Sequence, residues 1–287
     1  MTKHLALLLA TLLPLAPIAR AADLKVATWN LEWLTPRPLG DLALPEDVRP
    51  KSAADRALLR GYAQKLDADV IAVEEVDGPA IAATIFPPDR YALYFTQDDV
   101  VQRVGIAVRR GIPVHQNPDL AALDVTPNAT HRLRSGADLT VDLPSGPIRL
   151  LALHLKTGCN RDQLDRSRRP QCATLRSQTA VLQGWIAQRR REGIPFVILG
   201  DFNRWMDPAD QFLAALQETA PLARATEGHD SPCWGGERFI DHILAGGAAR
   251  AWMDPASLRV LVYREAPDQK EHLSDHCPVS VRFHLPG

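Results

Sequence analysis

An apolar run ends in two polar side chains within FVILGDFNRW, residues 196–205. Period-two strand geometry places Asp201 and Asn203 on one face and Phe202 on the other. A carboxylate and an amide buried side by side cost free energy unless they have a partner. A metal ion, a phosphate group or a water molecule would supply that partner, so the segment predicts a polar site at the end of a buried strand.

Five other segments also place polar side chains at or in an apolar run. They contribute Asn30 in NLEWL, Glu75 in VIAVEEV, His154 in LALHLK, Asp241 in FIDHIL, and Asp275 with His276 in LSDHCPV. If the strands share a sheet edge, all of these groups converge on one pocket. Each also has a simpler explanation: Asn30 as a turn residue, Glu75 as a solvated strand end, Asp201 as a loop carboxylate, or His154 as a hydrogen-bonded core histidine. Asp241 is harder to explain, because a carboxylate in a buried strand needs a partner, and His276 offers one.

The elements that position these residues are mostly strands. The sequence pattern predicts strands at 25–29, 70–73, 91–95, 104–109, 138–143, 148–155, 196–199, 239–244 and 279–284. It predicts helices at 53–66, 79–85, 171–191 and 208–217. Two segments, 105–115 and 138–155, are predicted as hairpins. Many strands with helices interspersed indicate two packed sheets flanked by helices.

The N-terminus carries a pattern typical of export. Lys3 and His4 precede an apolar run at 5–18, and small residues lie at 19 and 21, so residues 1–21 are predicted to be a signal peptide and 22–287 one domain. Cleavage would remove Lys3 and Arg20 from the 33 basic residues and none of the 34 acidic ones, which takes the formal charge from −1 to −3. Such a surface gives no global attraction for nucleic acid, so a polyanion would need a local basic patch.

All four cysteines lie beyond the predicted leader, and an even count in an exported chain favours two disulfides. Three pairings are possible. We favour Cys159–Cys172, which closes a loop of polar and basic residues, and Cys233–Cys277. A zinc site is the alternative, but the spacing lacks a CxxC pair or a Cys/His cluster.

The six motifs, in this order and spacing, resemble the endonuclease/exonuclease/phosphatase superfamily, over residues 24–284. The resemblance implies an α/β fold, a four-layer α/β/β/α sandwich like that of deoxyribonuclease I, and a metal-dependent phosphoric ester hydrolase. The HLKTGC segment, with a second cysteine shortly after, is similar to a bacterial secreted branch of the family.

The resemblance also implies roles for the motif residues. Glu75 is the expected principal ligand of Mg²⁺, with Mn²⁺ or Ca²⁺ as alternatives; Asn30 supports it, and Asp275 completes a second metal or water position. Asp201 holds or activates the attacking water. His276 is the catalytic imidazole and Asp241 orients it. Asn203 and Arg134 contact the phosphate oxygens, and His154 contacts either these oxygens or the leaving group. Arg132 lies two residues from Arg134, so either arginine fits the position of the phosphate contact.

Three departures from the family pattern qualify these roles. Glu74 occupies a position that is usually Gln, so it either adds negative charge or lies on the opposite face. Gln102 stands where a carboxylate would support His154; as a neutral partner it would still orient this ring but raise its basicity less. Asp77 and Val100 stand where deoxyribonuclease I places the side chains that enter the DNA minor groove, which argues against that mode of reading.

A local basic patch is the main indication of substrate. Lys156 follows His154 by two residues, and four arginines (161, 166, 168 and 169) lie in the loop that the first disulfide would close. This patch favours a sequence-nonspecific nuclease with a nucleic acid substrate, although a solvated surface loop is the simpler explanation. The alternatives are a phosphatase or lipid phosphodiesterase, and a non-catalytic binding protein on the same fold. Nothing in the sequence indicates stable membrane association or a protein partner, and we expect a monomer.

Overall fold

The computed structural model describes residues 23–286, so the predicted signal peptide lies outside the described residues. Within residues 23–286 no helix is long and apolar enough to cross a membrane. The strands are β1 (Asp23–Leu34), β2 (Val70–Val76), β3 (Tyr91–Phe95), β4 (Arg103–Arg109), β5 (Val114–Gln116), β6 (Ala137–Leu143), β7 (Gly146–His154), β8 (Phe196–Asp201), β9 (Leu222–Arg224), β10 (Asp241–Gly246), β11 (Met253–Val260) and β12 (Val279–His284). The helices are α1 (Ala53–Leu66), α2 (Pro79–Ala82), α3 (Pro170–Glu192), α4 (Gln211–Thr219) and α5 (Ala249–Trp252).

The strands form two six-stranded sheets, in the orders β11-β12-β1-β2-β4-β3 and β5-β6-β7-β8-β10-β9. Each sheet contains one parallel pair near its centre, β1 with β2 and β7 with β8, and the other pairs are antiparallel. The carboxyl ends of parallel strands lie at the same edge of a sheet. Four of the six motif segments therefore end at two sheet edges.

Three apolar layers hold the sheets and helices together. The layer between the sheets includes Val26, Ile106 and Leu150. One outer layer packs α1 on the first sheet and includes Trp29, Leu59 and Phe86; the other packs α3 and α4 on the second sheet and includes Trp185 and Phe212. Three cores between four layers confirm the predicted α/β/β/α sandwich.

Several boundaries follow from local chemistry. Helix α1 has the predicted bounds because Ser52 and Asp55 form a capping box and Asp67 ends the helix in the left-handed conformation. Helix α4 begins later than predicted, since the Asp210 side chain accepts a hydrogen bond from Leu213 N (2.9 Å) and caps it. Helix α2 is three residues shorter than the predicted 79–85.

The predicted hairpin at 105–115 is wrong. Strand β4 lies in the first sheet between β2 and β3, and β5 lies at the edge of the second sheet, where it pairs with β6. Gly111 (φ +91°) and Pro113 interrupt the chain between them, so β5 passes to the other layer. The hairpin at 138–155 is confirmed by the pairing of β6 with β7. Strands β5, β9 and β11 were not predicted.

Both predicted disulfides are present. Cys159 and Cys172 are joined with a Cα–Cα distance of 5.1 Å, and Cys233 and Cys277 with 5.7 Å. All four cysteines are buried. The first disulfide ties the loop after β7 to the first turn of α3, and the second ties the segment before β10 to the start of the β12 segment. Both therefore brace loops that flank the predicted site.

Candidate active site

The strand register places the six motifs together. His154 at the end of β7 and Asp241 at the start of β10 are both register partners of Asp201, the last residue of β8. In the facing sheet, Asn30 pairs with Glu74 across β1 and β2. The Asp275–His276 segment directly precedes β12, which is antiparallel to β1. All six segments thus meet at one end of the sandwich.

The backbone leaves strand geometry where the functional side chains begin. Gly200 (φ +142°) is required in GDFN, because a Cβ there would lie 1.9 Å from the carbonyl oxygen of Leu153 on β7. Glu75 (φ +59°) and Asn203 (φ +51°) adopt the left-handed conformation, which is uncommon for residues other than glycine. Both deviations turn a functional side chain out of the alternation expected of a strand.

Asp201 is the centre of the contact network. Its Oδ2 accepts hydrogen bonds from the amide groups of Asn30 and Asn203, each at 3.1 Å, and its Oδ1 accepts from Asn203 N at 2.7 Å. The same Oδ2 lies 3.5 Å from His154 Nε2 and 3.8 Å from His276 Nε2. Burial raises the pKa of Asp201 to about 7, against the opposing charge of His276.

Asn30 joins Asp201 to Glu75. Its Nδ2 also donates to Glu75 Oε1 at 3.2 Å, while its Oδ1 accepts a hydrogen bond from Glu32 N at 2.8 Å. The amide therefore orients both carboxylates. The Nδ2 of Asn203 is likewise used within the protein, by Asp201 and by the carbonyl oxygen of Leu155 (3.2 Å).

His276 and Asp241 form the predicted dyad, with His276 Nδ1 2.8 Å from Asp241 Oδ2. Burial by itself would lower the pKa of His276, but the charges of Asp241, Asp201 and Asp275 outweigh it and raise this pKa well above the usual value. Asp275 Oδ1 lies 3.7 Å from His276 Nε2, on the more exposed side of the ring. The dyad orients the ring so that its Nε2 faces Asp201 and Asp275.

His154 has the opposite electrostatic environment. Arg134 Nη2 lies 2.7 Å from its ring nitrogens, and Glu75 Oε1 lies 3.7 Å from Nε2. Burial and then the charge of Arg134 lower the pKa of His154 well below its usual value. The expectation that Gln102 orients this ring is wrong: among residues 23–286 Gln102 makes no hydrogen bond to it, and Arg134 occupies the neighbouring position.

Glu32 belongs to the site and was not singled out from the sequence. Its Oε2 accepts a hydrogen bond from Asp275 N at 3.1 Å, and burial, followed by the charge of Asp275, raises its pKa to about 7. The buried Lys51 ammonium lies 3.8 Å from Glu32 Oε2 and donates to the Glu32 carbonyl oxygen. Glu32, Glu75, Asp275 and Lys51 line one pocket of about 300 Å³. The only signal in the sequence was the position of Glu32 two residues after Asn30.

The donor set of this pocket fits a hard divalent cation. Three carboxylates from separate segments converge there, and the burial that raises the pKa of Glu32 marks an unfavourable negative charge that a bound cation would offset. Asp201, Asp241 and His276 offer a further set of ligand atoms within 4.8 Å of one another. The 2.8 Å contact in that set is a hydrogen bond, so the oxygen-rich pocket is the better metal position. Cys159, Asp162 and Cys172 also lie close together, but the two cysteines are joined in a disulfide and therefore offer no thiolate to a metal ion.

Glu74 lies beneath the site. It is fully buried between the sheets, its Oε1 accepts a hydrogen bond from Thr28 Oγ1 at 3.0 Å, and its Oε2 has no partner among the described residues. Burial, and then the charges of Asp241 and Asp201, raise the pKa of Glu74 well above its usual value, which favours the neutral form. The departure from Gln therefore places a carboxyl group beneath the site, where burial disfavours its charged form.

The predicted basic patch is partly neutralised. In the loop closed by the first disulfide, Arg169 pairs with Asp162 (3.1 Å) and Arg166 lies 3.8 Å from Asp165. Arg161 lies over the Trp205 ring, with Cζ 5.8 Å from its centroid. Burial and then the charge of Arg134 lower the pKa of Lys156, whose ammonium makes no hydrogen bond in the described chain. The Arg168 side chain is exposed and also makes no ion pair in the described chain, so Lys156 and Arg168 are the cations of this patch that remain available.

Comparisons with known proteins agree with this architecture. Residues 27–276 match the Endonuclease/Exonuclease/phosphatase family. Among solved structures, truncated Caenorhabditis elegans TDP2 is similar with a TM-score of 0.57 and 15% identity, covering 92% of this chain and 98% of that one. A D-to-N variant of the Neisseria 3′ phosphatase NExo bound to a product DNA hairpin gives 0.58 and 18%, covering 91% and 99%. The human Nocturnin catalytic domain with bound sulfate gives 0.57 and 15%, covering 92% and 95%. Comparison with curated proteins by sequence gives no match.

Proposed function

The chain belongs to the endonuclease/exonuclease/phosphatase family, and from that premise we propose that it is an exported, Mg²⁺-dependent nuclease that hydrolyses DNA without sequence preference. Family membership makes it a metal-dependent phosphoric ester hydrolase. The proposal goes further in three respects: the ion is Mg²⁺, replaceable by Mn²⁺; the substrate is a nucleic acid; and the enzyme acts outside the cytoplasm. The observation that carries it is the convergence of the six segments around Asp201.

The residues divide into charge, proton and positioning roles. Glu75, with Glu32 and Asp275, would hold the cation, which when bound would stabilise the negative charge on the phosphoryl oxygens. Asp201 lies between two histidines and accepts hydrogen bonds, a position suited to holding the attacking water. His276, whose protonated form is favoured by the charge of Asp241, stabilises the charge that builds on the phosphoryl oxygens or donates a proton to one of them.

Arg134 and His154 form the other wall of the site. The guanidinium is a planar donor that suits phosphate oxygens, and the neutral imidazole beside it donates or accepts a proton without adding charge. Asn203 is held by Asp201, so it supports the water position first and reaches a phosphoryl oxygen only by exchanging one of its internal bonds. Lys156 provides a further cation on the Arg134 side.

Export is supported by the pattern of residues 1–21 and by two disulfides that brace loops beside the site. A non-catalytic binding protein is disfavoured, because every candidate group is present and takes part in one connected arrangement. A phosphatase or lipid phosphodiesterase would use the same centre. Against a lipid substrate, the sequence contains no long exposed apolar hairpin, and in GDFNRW the arginine stands one residue earlier than in the GDxNxR pattern of inositol phosphatases.

A substrate panel tests the proposal. Mature protein is assayed on plasmid DNA, RNA, sphingomyelin, a 3′-phosphorylated oligonucleotide and a bis-phosphodiester, with EDTA and with Mg²⁺ or Mn²⁺. We expect plasmid cleavage that EDTA abolishes and either ion restores. Activity confined to sphingomyelin or to the terminal phosphate would overturn the nuclease assignment while leaving the hydrolase class intact.

A further inference from the structure

A cavity of about 450 Å³ opens beside the site on the Arg134 side. Trp33 lines both this cavity and the acidic pocket, so the two adjoin at this residue. The Trp33 amide donates to Glu75 Oε2 at 3.3 Å, which fixes this boundary to the metal-binding wall. The cavity is therefore continuous with the place where the scissile phosphate would bind.

The arginines that line the cavity differ in their partners. Arg37 and Arg132 are neutralised, by Asp77 (3.0 Å) and Asp124 (2.9 Å) respectively. Arg103 and Arg134 make no ion pair within residues 23–286, and the Nε atom of each is buried without a hydrogen-bond acceptor. A buried N–H without an acceptor costs free energy, most of all on a charged group. Two guanidinium groups in one cavity thus lack an anion.

The backbone holds Arg103 close to the catalytic centre. It is the register partner of Val76, the residue after Glu75. Its guanidinium packs against Gly78 (φ +92°), where a Cβ would lie 3.4 Å from Nη1. The glycine both permits the turn after β2 and leaves room for the guanidinium. Packing against backbone limits the freedom of the side chain, so the cation is arranged before any ligand arrives.

The two unpaired guanidinium groups suit two linked anions. Arg134 contacts His154, while Arg103 lines the same cavity beside Gly78. The acidic side chains that line the cavity are Asp77 and Asp99. Asp77 already accepts hydrogen bonds from Arg37 and Thr35. Consecutive phosphates of one strand offer each of these arginines an anion of its own.

We propose that this cavity is a phosphate subsite, in which Arg103 binds the backbone phosphate next to the scissile one on the same nucleic-acid strand. The inference rests on the proposed function and makes it more specific, because it assigns the substrate to polynucleotides that extend to the Trp33–Arg103 side of the cleavage point. Base identity plays no part, since backbone phosphates carry no sequence information.

Binding of a fluorescein-labelled single-stranded 12-mer, measured by anisotropy in EDTA, tests the subsite without turnover. Arg103→Gln should weaken binding about tenfold and reduce the slope of log K against log salt by about 0.7, the contribution of one phosphate contact to a single strand. Arg103→Lys should retain most of the slope. Arg250→Gln is the charge-matched control, because Arg250 lies in α5, which follows the end of β10 that is farther from Asp241 and the site. An unchanged slope in Arg103→Gln overturns the proposal.

Kinetics separate the subsite from the chemical centre. With Mg²⁺, Arg103→Gln should raise KM for the 12-mer about tenfold and leave kcat/KM for bis(p-nitrophenyl) phosphate within about twofold of wild type. Equal losses on both substrates would place Arg103 at the scissile phosphate and refute the subsite. If the wild type cleaves the small diester but no polynucleotide, the proposed function fails; the anisotropy slopes still decide separately whether Arg103 contacts a phosphate.

Discussion

Replacing Asp241 by Asn tests the origin of the His276 charge. The variant keeps the size of the side chain and removes the carboxylate that lies 2.8 Å from His276 Nδ1. The pair is mostly buried, with side chains 10% and 11% exposed, so solvent screens it weakly. A hydrogen bond between such charged groups is worth about 1.5–3 kcal/mol. The loss of an interaction of this size should lower the pKa of His276 in Asp241→Asn.

The assay is an NMR titration of the histidine ring protons in metal-free protein, with the His276 signal assigned by its loss in His276→Gln. Glu218→Gln, on the exposed face of α4, is the control for loss of one negative charge. Asp241→Asn should also lower the pKa of Asp201, because the charge of Asp241 helps to raise it. A His276 pKa equal to that of wild type would refute the electrostatic role of the dyad and reduce Asp241 to a packing residue.

Two further predictions concern stability. Closing loops with sequence separations of 13 and 44 residues should stabilise the fold by about 3 and about 4 kcal/mol in the chain-entropy model. Dithiothreitol should therefore lower the melting temperature, and the double variant Cys233→Ser/Cys277→Ser should lose more stability than Cys159→Ser/Cys172→Ser. A melting temperature unaffected by reduction would contradict this prediction. Burial lowers the pKa of His242 to about 3, and its ring nitrogens bond Thr226 Oγ1 and the Arg204 carbonyl oxygen. The unfolded chain takes up this proton below about pH 6.5 and the folded one does not until about pH 3, so stability falls as the pH drops across this window. The difference in unfolding free energy between wild type and His242→Gln should shrink by about 2 kcal/mol from pH 7 to pH 5, measured by urea denaturation; a constant difference would refute it.

The sequence predicted which polar residues lie close together, because its signal is local. Each motif places a polar residue at the end of an apolar strand, and the two parallel pairs bring those ends to common edges. The dyad could be anticipated, since a buried carboxylate such as Asp241 demands a partner. The disulfide pairing was likewise predictable from the loop that Cys159 and Cys172 would close.

What could not be predicted depends on long-range packing. Lys51 enters the acidic pocket from the loop before α1, and nothing around it in sequence indicates a buried ammonium. The neighbour of His154 is Arg134 and not Gln102, because the loop before β6 brings Arg134 against the end of β7. This tertiary contact has no pattern in the sequence. Strand β11 carries Pro255 and charged residues at the edge of its sheet, so its alternation is weak. The change of sheet between β4 and β5 likewise leaves no periodic signal.

The account rests on distant segments forming one cation-dependent centre, and plasmid cleavage by variants from two of those segments tests it most directly. Glu75→Gln, at the end of β2, and His276→Ala, before β12, are compared with wild type in Mg²⁺, in EDTA and in excess Mn²⁺. We expect each variant to lose at least about a hundredfold in rate with its melting temperature within a few degrees of wild type, and EDTA to abolish wild-type cleavage. Folded variants that cleave at near wild-type rates, or cleavage that persists in EDTA, would contradict the account.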